Sequence, residues 1–197
     1  MLAVGAVGTM VMFGAGAVAQ AAVRAPVGQH HAVAAHAAKA KPKVKKVAFK
    51  GTYTGKIALL WSDSSVAASI ATGTGTGTYL GSSTLAGKGT SPTASYCDNI
   101  IGTGSLSGGG SKLSLSVLST SKSQACVPGG TTSGPQSPPT TVTVTGTAKV
   151  LSGTGKWKGV SGTLSFKGSF AVSDSTAGTN ESDTFTVTLT GTLSVKS

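Results

Sequence analysis

From residue 49 onward, apolar and small residues fall on every second position. Phe49, Gly51, Tyr53, Gly55, Ile57, Leu59 and Trp61 share one face, and Lys50, Thr52, Thr54 and Lys56 lie between them. A period of two with one apolar face predicts a half-buried strand. The glycines on that face predict bends of the kind a closed or strongly curved sheet needs. The last strand is cleaner. Phe185, Val187, Leu189, Gly191, Leu193 and Val195 alternate with Thr184, Thr186, Thr188, Thr190, Thr192 and Ser194. The same rhythm runs through Val142, Val144, Gly146, Ala148 and Val150, and through Leu164, Phe166, Gly168, Phe170 and Val172. A shorter case is Leu113, Leu115 and Val117, preceded by the turn Gly108-Gly109-Gly110 and a strand over residues 100–106. Residues 62–72 read either as a strand or as one short helix begun at Ser62 or Asp63.

One phrase occurs twice. "GTGTYLGSSTLAGKG" (residues 75–89) aligns with "GTGKWKGVSGTLSFKG" (residues 153–168) once Gly162 is treated as an insertion, with 9 of 15 positions identical. Tyr79 then falls opposite Trp157. "GKI" and "AKV" precede the two copies, and "LSV" follows each. Between them lies "VPGGTTSGPQSPP", residues 127–139, whose Pro and Gly content excludes a central strand. Two similar halves, 48–126 and 140–197, are therefore expected, each contributing about four strands of a β-meander. Closing the two on one another removes exposed edges and leaves an interior that side chains can fill. The fold class predicted is all-β, an antiparallel barrel of about eight strands. A β-sandwich of two sheets is the alternative.

The stretch "SGTGKWKGVSGTLSFKG", followed by a Thr-rich terminal strand, resembles the Gly-Thr-Gly-Lys-aromatic segment of allene oxide cyclase and dirigent-like proteins. The resemblance covers residues 152–168 and otherwise only the strand rhythm. It implies an eight-stranded antiparallel barrel in which this segment is a structural hairpin. Plant members cyclise an epoxide or orient phenoxy radicals. No residue here matches a catalytic position of that family, so none is carried over.

Composition agrees with strands. Charged residues make up 11% of the chain, too few for helices with Glu/Lys surfaces, while Gly, Ser and Thr abound. Residues 2–23 carry no charge, and Ala17-Val18-Ala19 and Ala19-Gln20-Ala21 both fit a small-residue cleavage pattern. A secretory signal over residues 1–21 is expected, with a retained signal anchor as the alternative. Export suits the two cysteines, Cys97 and Cys126, which are expected to form a disulfide around the hairpin of residues 100–117.

Residues 22–47 read as a mobile basic linker. Arg24, Lys39, Lys41, Lys43, Lys45 and Lys46 are six of the sixteen basic residues of the chain, and no acid lies among them. Such an arm is a solvated spacer or an electrostatic tether to anionic wall polymers or a membrane surface. It carries no aromatic residue for base stacking, so specific nucleic-acid recognition is not expected.

Candidate chemistry is sparse. The three histidines, His30, His31 and His36, all lie in the arm. The barrel therefore has no histidine for a catalytic triad or a zinc site. No metal or cofactor is expected. Asp174, Glu181 and Asp183 share the segment "SDSTAGTNESDT", read as a solvated turn, with a calcium loop as the sharper alternative. Trp157 sits between Lys156 and Lys158 and is expected in the core. With Trp61, Tyr79 and Tyr96 it is also a candidate platform for stacking sugar rings. The leading reading is a secreted, non-catalytic barrel held at the envelope by its arm. A carbohydrate- or small-ligand-binding module is the second reading, and a dirigent- or cyclase-like enzyme the third.

Overall fold

A computed structural model describes residues 43–127 and 140–196. The signal, its anchor alternative, and Arg24, Lys39 and Lys41 of the arm lie outside the described residues, as does nearly all of the 127–139 loop. Ten strands follow one another: β1 (Val44–Trp61), β2 (Ser65–Gly77), β3 (Gly81–Pro92), β4 (Cys97–Asn99), β5 (Ile101–Gly108), β6 (Ser111–Val117), β7 (Gln124–Cys126), β8 (Thr140–Thr154), β9 (Ser161–Val172) and β10 (Asn180–Lys196).

Eight of them close into an antiparallel barrel in the order β1-β2-β3-β5-β6-β8-β9-β10. The ring is completed where β10 runs along β1, from Val44 opposite Lys196 to Leu60 opposite Asn180. The sandwich alternative is thereby excluded. The ambiguous stretch 62–72 is strand from Ser65 onward, since Val66, Ala68 and Ile70 turn inward and pair across to β3. A bulge between Ile70 and Gly73, and a second in β8 opposite Ser114 and Leu115, bend the sheet as closure requires.

Two expectations need correction. β1 begins at Val44, so the linker is shorter than residues 22–47. Lys45 and Lys46 are strand residues opposite Val195 and Ser194, and Lys43 immediately precedes the strand. The barrel is also divided unevenly. The stretch before the 127–139 loop supplies five barrel strands and the stretch after it three. What repeats is the hairpin: β2–β3 and β8–β9 are the two copies, and Leu85 and Leu164, aligned in the phrase, are both buried. The flanking "LSV" triplets sit on β6 and β10, which are not equivalent around the ring.

β4 and β7 extend the β5–β6 hairpin beyond the barrel wall. Ile100 separates β4 from β5, and residues 118–123 separate β6 from β7. Cys97 lies directly opposite Cys126, and the two form the expected disulfide with Cα atoms 4.1 Å apart. The step between β6 and β7 leaves β8 without a strand partner on that edge at Thr147, whose other edge pairs with Ser165 of β9. Ser123 fills the gap: its Oγ accepts the Thr147 N–H at 3.0 Å and donates to the Thr147 carbonyl at 3.3 Å. Gly146 makes room, because a methyl group there would overlap the Ser123 side chain.

The meander gives the barrel two different ends. The β2–β3, β5–β6 and β8–β9 turns and the paired ends of β1 and β10 form one, here the tryptophan end. The disulfide, the β1–β2 turn and the β9–β10 turn form the other.

Candidate functional site

Inward side chains fill the tryptophan end. Trp157 belongs to a 3-10 turn, Gly155–Trp157, between β8 and β9. Its ring is buried and meets Phe49 and Tyr79 edge to face, at centroid distances of 5.9 and 5.8 Å. Leu80, Val160, Leu164 and Leu193 are buried in the same hydrophobic cluster. Tyr53 is fully buried beside this plug, its hydroxyl 3.0 Å from Ser83 Oγ. Burial pushes the Tyr53 phenol up, and the Ser83 bond offsets part of that rise.

Above this core, toward the disulfide end, the barrel is hollow. A cavity of about 240 Å³ is bounded by Ile57, Leu59, Ala68, Ile70, Leu115, Ala148, Phe166, Phe170, Phe185 and Leu189, among others. On one side the wall carries no side chains. Gly87 and Gly89 of β3 stand directly opposite Gly104 and Gly102 of β5. Alternation with the buried Leu85 and Leu106 turns all four toward the interior. Lys88, Thr90, Ile101 and Thr103 between them are exposed on the outside. The nearest neighbours of a methyl group built at each of these glycines are backbone atoms of the adjoining strand, and at Gly104 nothing else lies within 4 Å. Across the barrel, β9 and β10 present Phe166, Phe170 and Phe185. Phe170 and Phe185 are register partners. The Phe185 ring leans over Gly73, where an added methyl would sit 2.5 Å from Cζ. The result is an apolar slot, bare backbone on one side and phenyl rings on the other.

The acids gather at the disulfide end. Glu181 and Asp183 lie on the inward face of β10, in register with Leu59 and Ile57. Glu181 is an ordered acceptor: Oε1 takes the Trp61 Nε1–H at 2.9 Å, and Oε2 takes the backbone N–H groups of Ser173 and Asp174 at 2.9 and 3.0 Å. The segment read as a solvated turn is thus a hydrogen-bonded corner joining β9, β10 and the end of β1. Asp183 accepts from Ser173 Oγ through one oxygen, while its other oxygen is buried without a partner. Desolvation first, and then the neighbouring Glu181 carboxylate, push the Asp183 carboxyl above the usual range. Asp174 moves the other way, held down by its hydrogen bonds with Thr176. Among the described residues no group of three His, Cys, Asp or Glu side chains could hold a metal ion.

The four aromatics singled out as a stacking platform are not brought together. Tyr79 and Trp157 meet at the tryptophan end, where Trp157 is 1% exposed and unavailable to a sugar ring. Trp61 lies at the opposite end with its Nε1 engaged by Glu181, and exposed Tyr96 precedes β4 there. Sequence reasoning missed the glycine wall. The signal was present in "LAGKGTS" and "IGTGSL", where glycine takes the inward phase on two strands that the fold makes neighbours.

Comparison with protein-family models, with curated proteins and with solved structures returned no match.

Proposed function

We propose that this protein is a secreted, non-catalytic β-barrel that binds a small, flat, apolar molecule in its interior. The observation that carries the reading is the slot between four inward glycines and three phenylalanines. A close-packed core leaves few voids larger than a water molecule. A dry apolar cavity of roughly 150 Å³ already holds a benzene ring. The cavity here is larger, at about 240 Å³. A flat ring would lie against bare backbone on one face and phenyl groups on the other. Sugars fit poorly, because the slot offers no array of hydrogen-bonding side chains to replace their hydration. The inward positions of the slot supply no acid or base, and the one buried serine among them, Ser91, spends its hydroxyl on the Asn99 carbonyl, which favours binding over cyclase-type chemistry.

Secretion is supported by the uncharged leader and accords with the disulfide. The basic arm supports retention at an anionic envelope.

Titration with N-phenyl-1-naphthylamine tests the binding reading. Fluorescence should rise on binding and fall on displacement by two-ring aromatics. Ala148→Leu and Ala68→Leu, each projecting into the cavity from a different wall, should each weaken binding at least tenfold while the unfolding transition stays cooperative. Uptake by neither the native chain nor either variant would leave the barrel a scaffold and sink the proposal.

A further inference from the structure

We propose that the tryptophan end of the barrel docks on a bilayer surface of anionic lipid. The meander places six exposed lysines there. Lys45 and Lys46 stand at the start of β1, Lys196 at the end of β10, Lys112 at the start of β6, and Lys156 and Lys158 in the β8–β9 connection. The segments that form this end carry no acid. All five acids of the chain, Asp63, Asp98, Asp174, Glu181 and Asp183, lie at or beside the disulfide end. The barrel is therefore charge-polarised along its axis.

Contacts run from turn to turn and make one continuous surface. The Lys156 N–H donates to Ser111 Oγ at 3.1 Å, linking the β8–β9 and β5–β6 turns. A methyl group on Gly109 would meet the Leu80 carbonyl of the β2–β3 turn at 3.1 Å. One on Gly159 would meet Lys196 Cβ at 3.3 Å.

Two apolar side chains distinguish a bilayer from a soluble polyanion. Val44 is 57% exposed and Tyr79 is 51% exposed, both among these lysines. A hydrated anionic polymer offers charge alone. A lipid interface offers charge together with an apolar layer, in which aliphatic and tyrosine side chains are favoured. Each lysine near such a surface contributes about a fivefold gain in partitioning. Docking this way directs the disulfide end, and the cavity beneath it, away from the lipid. The inference does not depend on the cavity holding a ligand.

Flotation of the full chain with phosphatidylglycerol/phosphatidylcholine vesicles, against vesicles of phosphatidylcholine alone, tests it. A triple variant Lys112→Gln, Lys156→Gln, Lys158→Gln should lose roughly a hundredfold in partitioning to the anionic vesicles at low salt. A wall triple, Lys88→Gln, Lys149→Gln, Lys167→Gln, should lose less than about fivefold, the share of one surface lysine. Both triples carry the same first 42 residues, so any contribution of the arm or leader cancels. Tyr79→Ser and Val44→Ser should each weaken vesicle binding several-fold and leave binding to soluble polyphosphate unchanged. Equal losses from the two lysine triples would overturn the docking face. Polyphosphate binding with no effect of Tyr79→Ser or Val44→Ser on vesicles would make the surface a polyanion site and overturn the lipid assignment.

Discussion

The rings of Tyr79 and Trp157 meet edge to face, 5.8 Å apart at 80°, although 78 residues separate them in the chain. They hold the same position in the two copies of the repeated phrase. One is half exposed and the other is buried, so the copies have diverged into a rim and a plug. Truncating the plug, Trp157→Ala, should cost about 3–5 kcal/mol, as for other fully buried tryptophans. Tyr79→Ala removes an exposed ring with one aromatic contact and should cost about 1 kcal/mol. Chemical denaturation midpoints of the two variants check the asymmetry.

The disulfide encloses both strands of the β5–β6 hairpin, with Cys97 and Cys126 separated by 29 residues in sequence. Cross-linking a loop of that length restrains the unfolded chain by about 3–4 kcal/mol in the chain-entropy model. Reduction, or the pair Cys97→Ala and Cys126→Ala, should lower stability by about that much while the strand content seen by circular dichroism persists. Non-reducing mass spectrometry should find an intramolecular bridge. Two free thiols or a linked dimer would contradict it.

Ser123 supplies the hydrogen bonds that β8 lacks between β7 and β6. Ser123→Ala strands the Thr147 N–H in a buried site and should cost about 1–3 kcal/mol. Gly146→Ala should destabilise by a different route, forcing the Ser123 side chain out of its place. The double variant should cost less than the sum of the two, because both act on one contact. Equilibrium unfolding of all three settles the coupling.

Asp183 and Asp174 give stability opposite dependences on pH. The Asp183 carboxyl is raised in the folded protein, so the native state holds its proton over a range where the unfolded chain has lost it. Its contribution to stability therefore falls as pH rises from the usual carboxylate range through the raised value. Asp183→Asn should make the protein more stable at pH 7 and flatten that part of the profile. Asp174 is lowered, so its contribution is present above the usual value and is lost on acidification through the lowered one. Asp174→Asn should remove that acid-side loss. Melting temperature against pH for the two variants distinguishes them.

Period-two alternation makes β1, β8, β9 and β10 legible in the sequence, because successive side chains of a strand point to opposite faces. The cysteine pair is legible for a different reason: the uncharged leader predicts export, and two thiols outside the cytoplasm have few other fates. Residues 62–72 are ambiguous because the two-residue bulge after Ile70 breaks the alternation. The uneven division of strands is hidden because β4 and β7 are short continuations of their neighbours and not barrel strands. Only the tertiary structure decided what the inward glycines do. Gly55 and Gly73 give way to the Phe185 ring, while at Gly87, Gly89, Gly102 and Gly104 the nearest neighbours of an added methyl are backbone atoms of the adjoining strand and not a side chain from across the barrel. All six share the same local pattern, a glycine in the inward phase of a strand. What differs is the opposite wall, and that is set by which strands closure brings across the barrel from one another. The charge-polarised ends arise the same way. The sequence determined how many lysines and acids there are and in which turns, and the meander decided that those turns share an end.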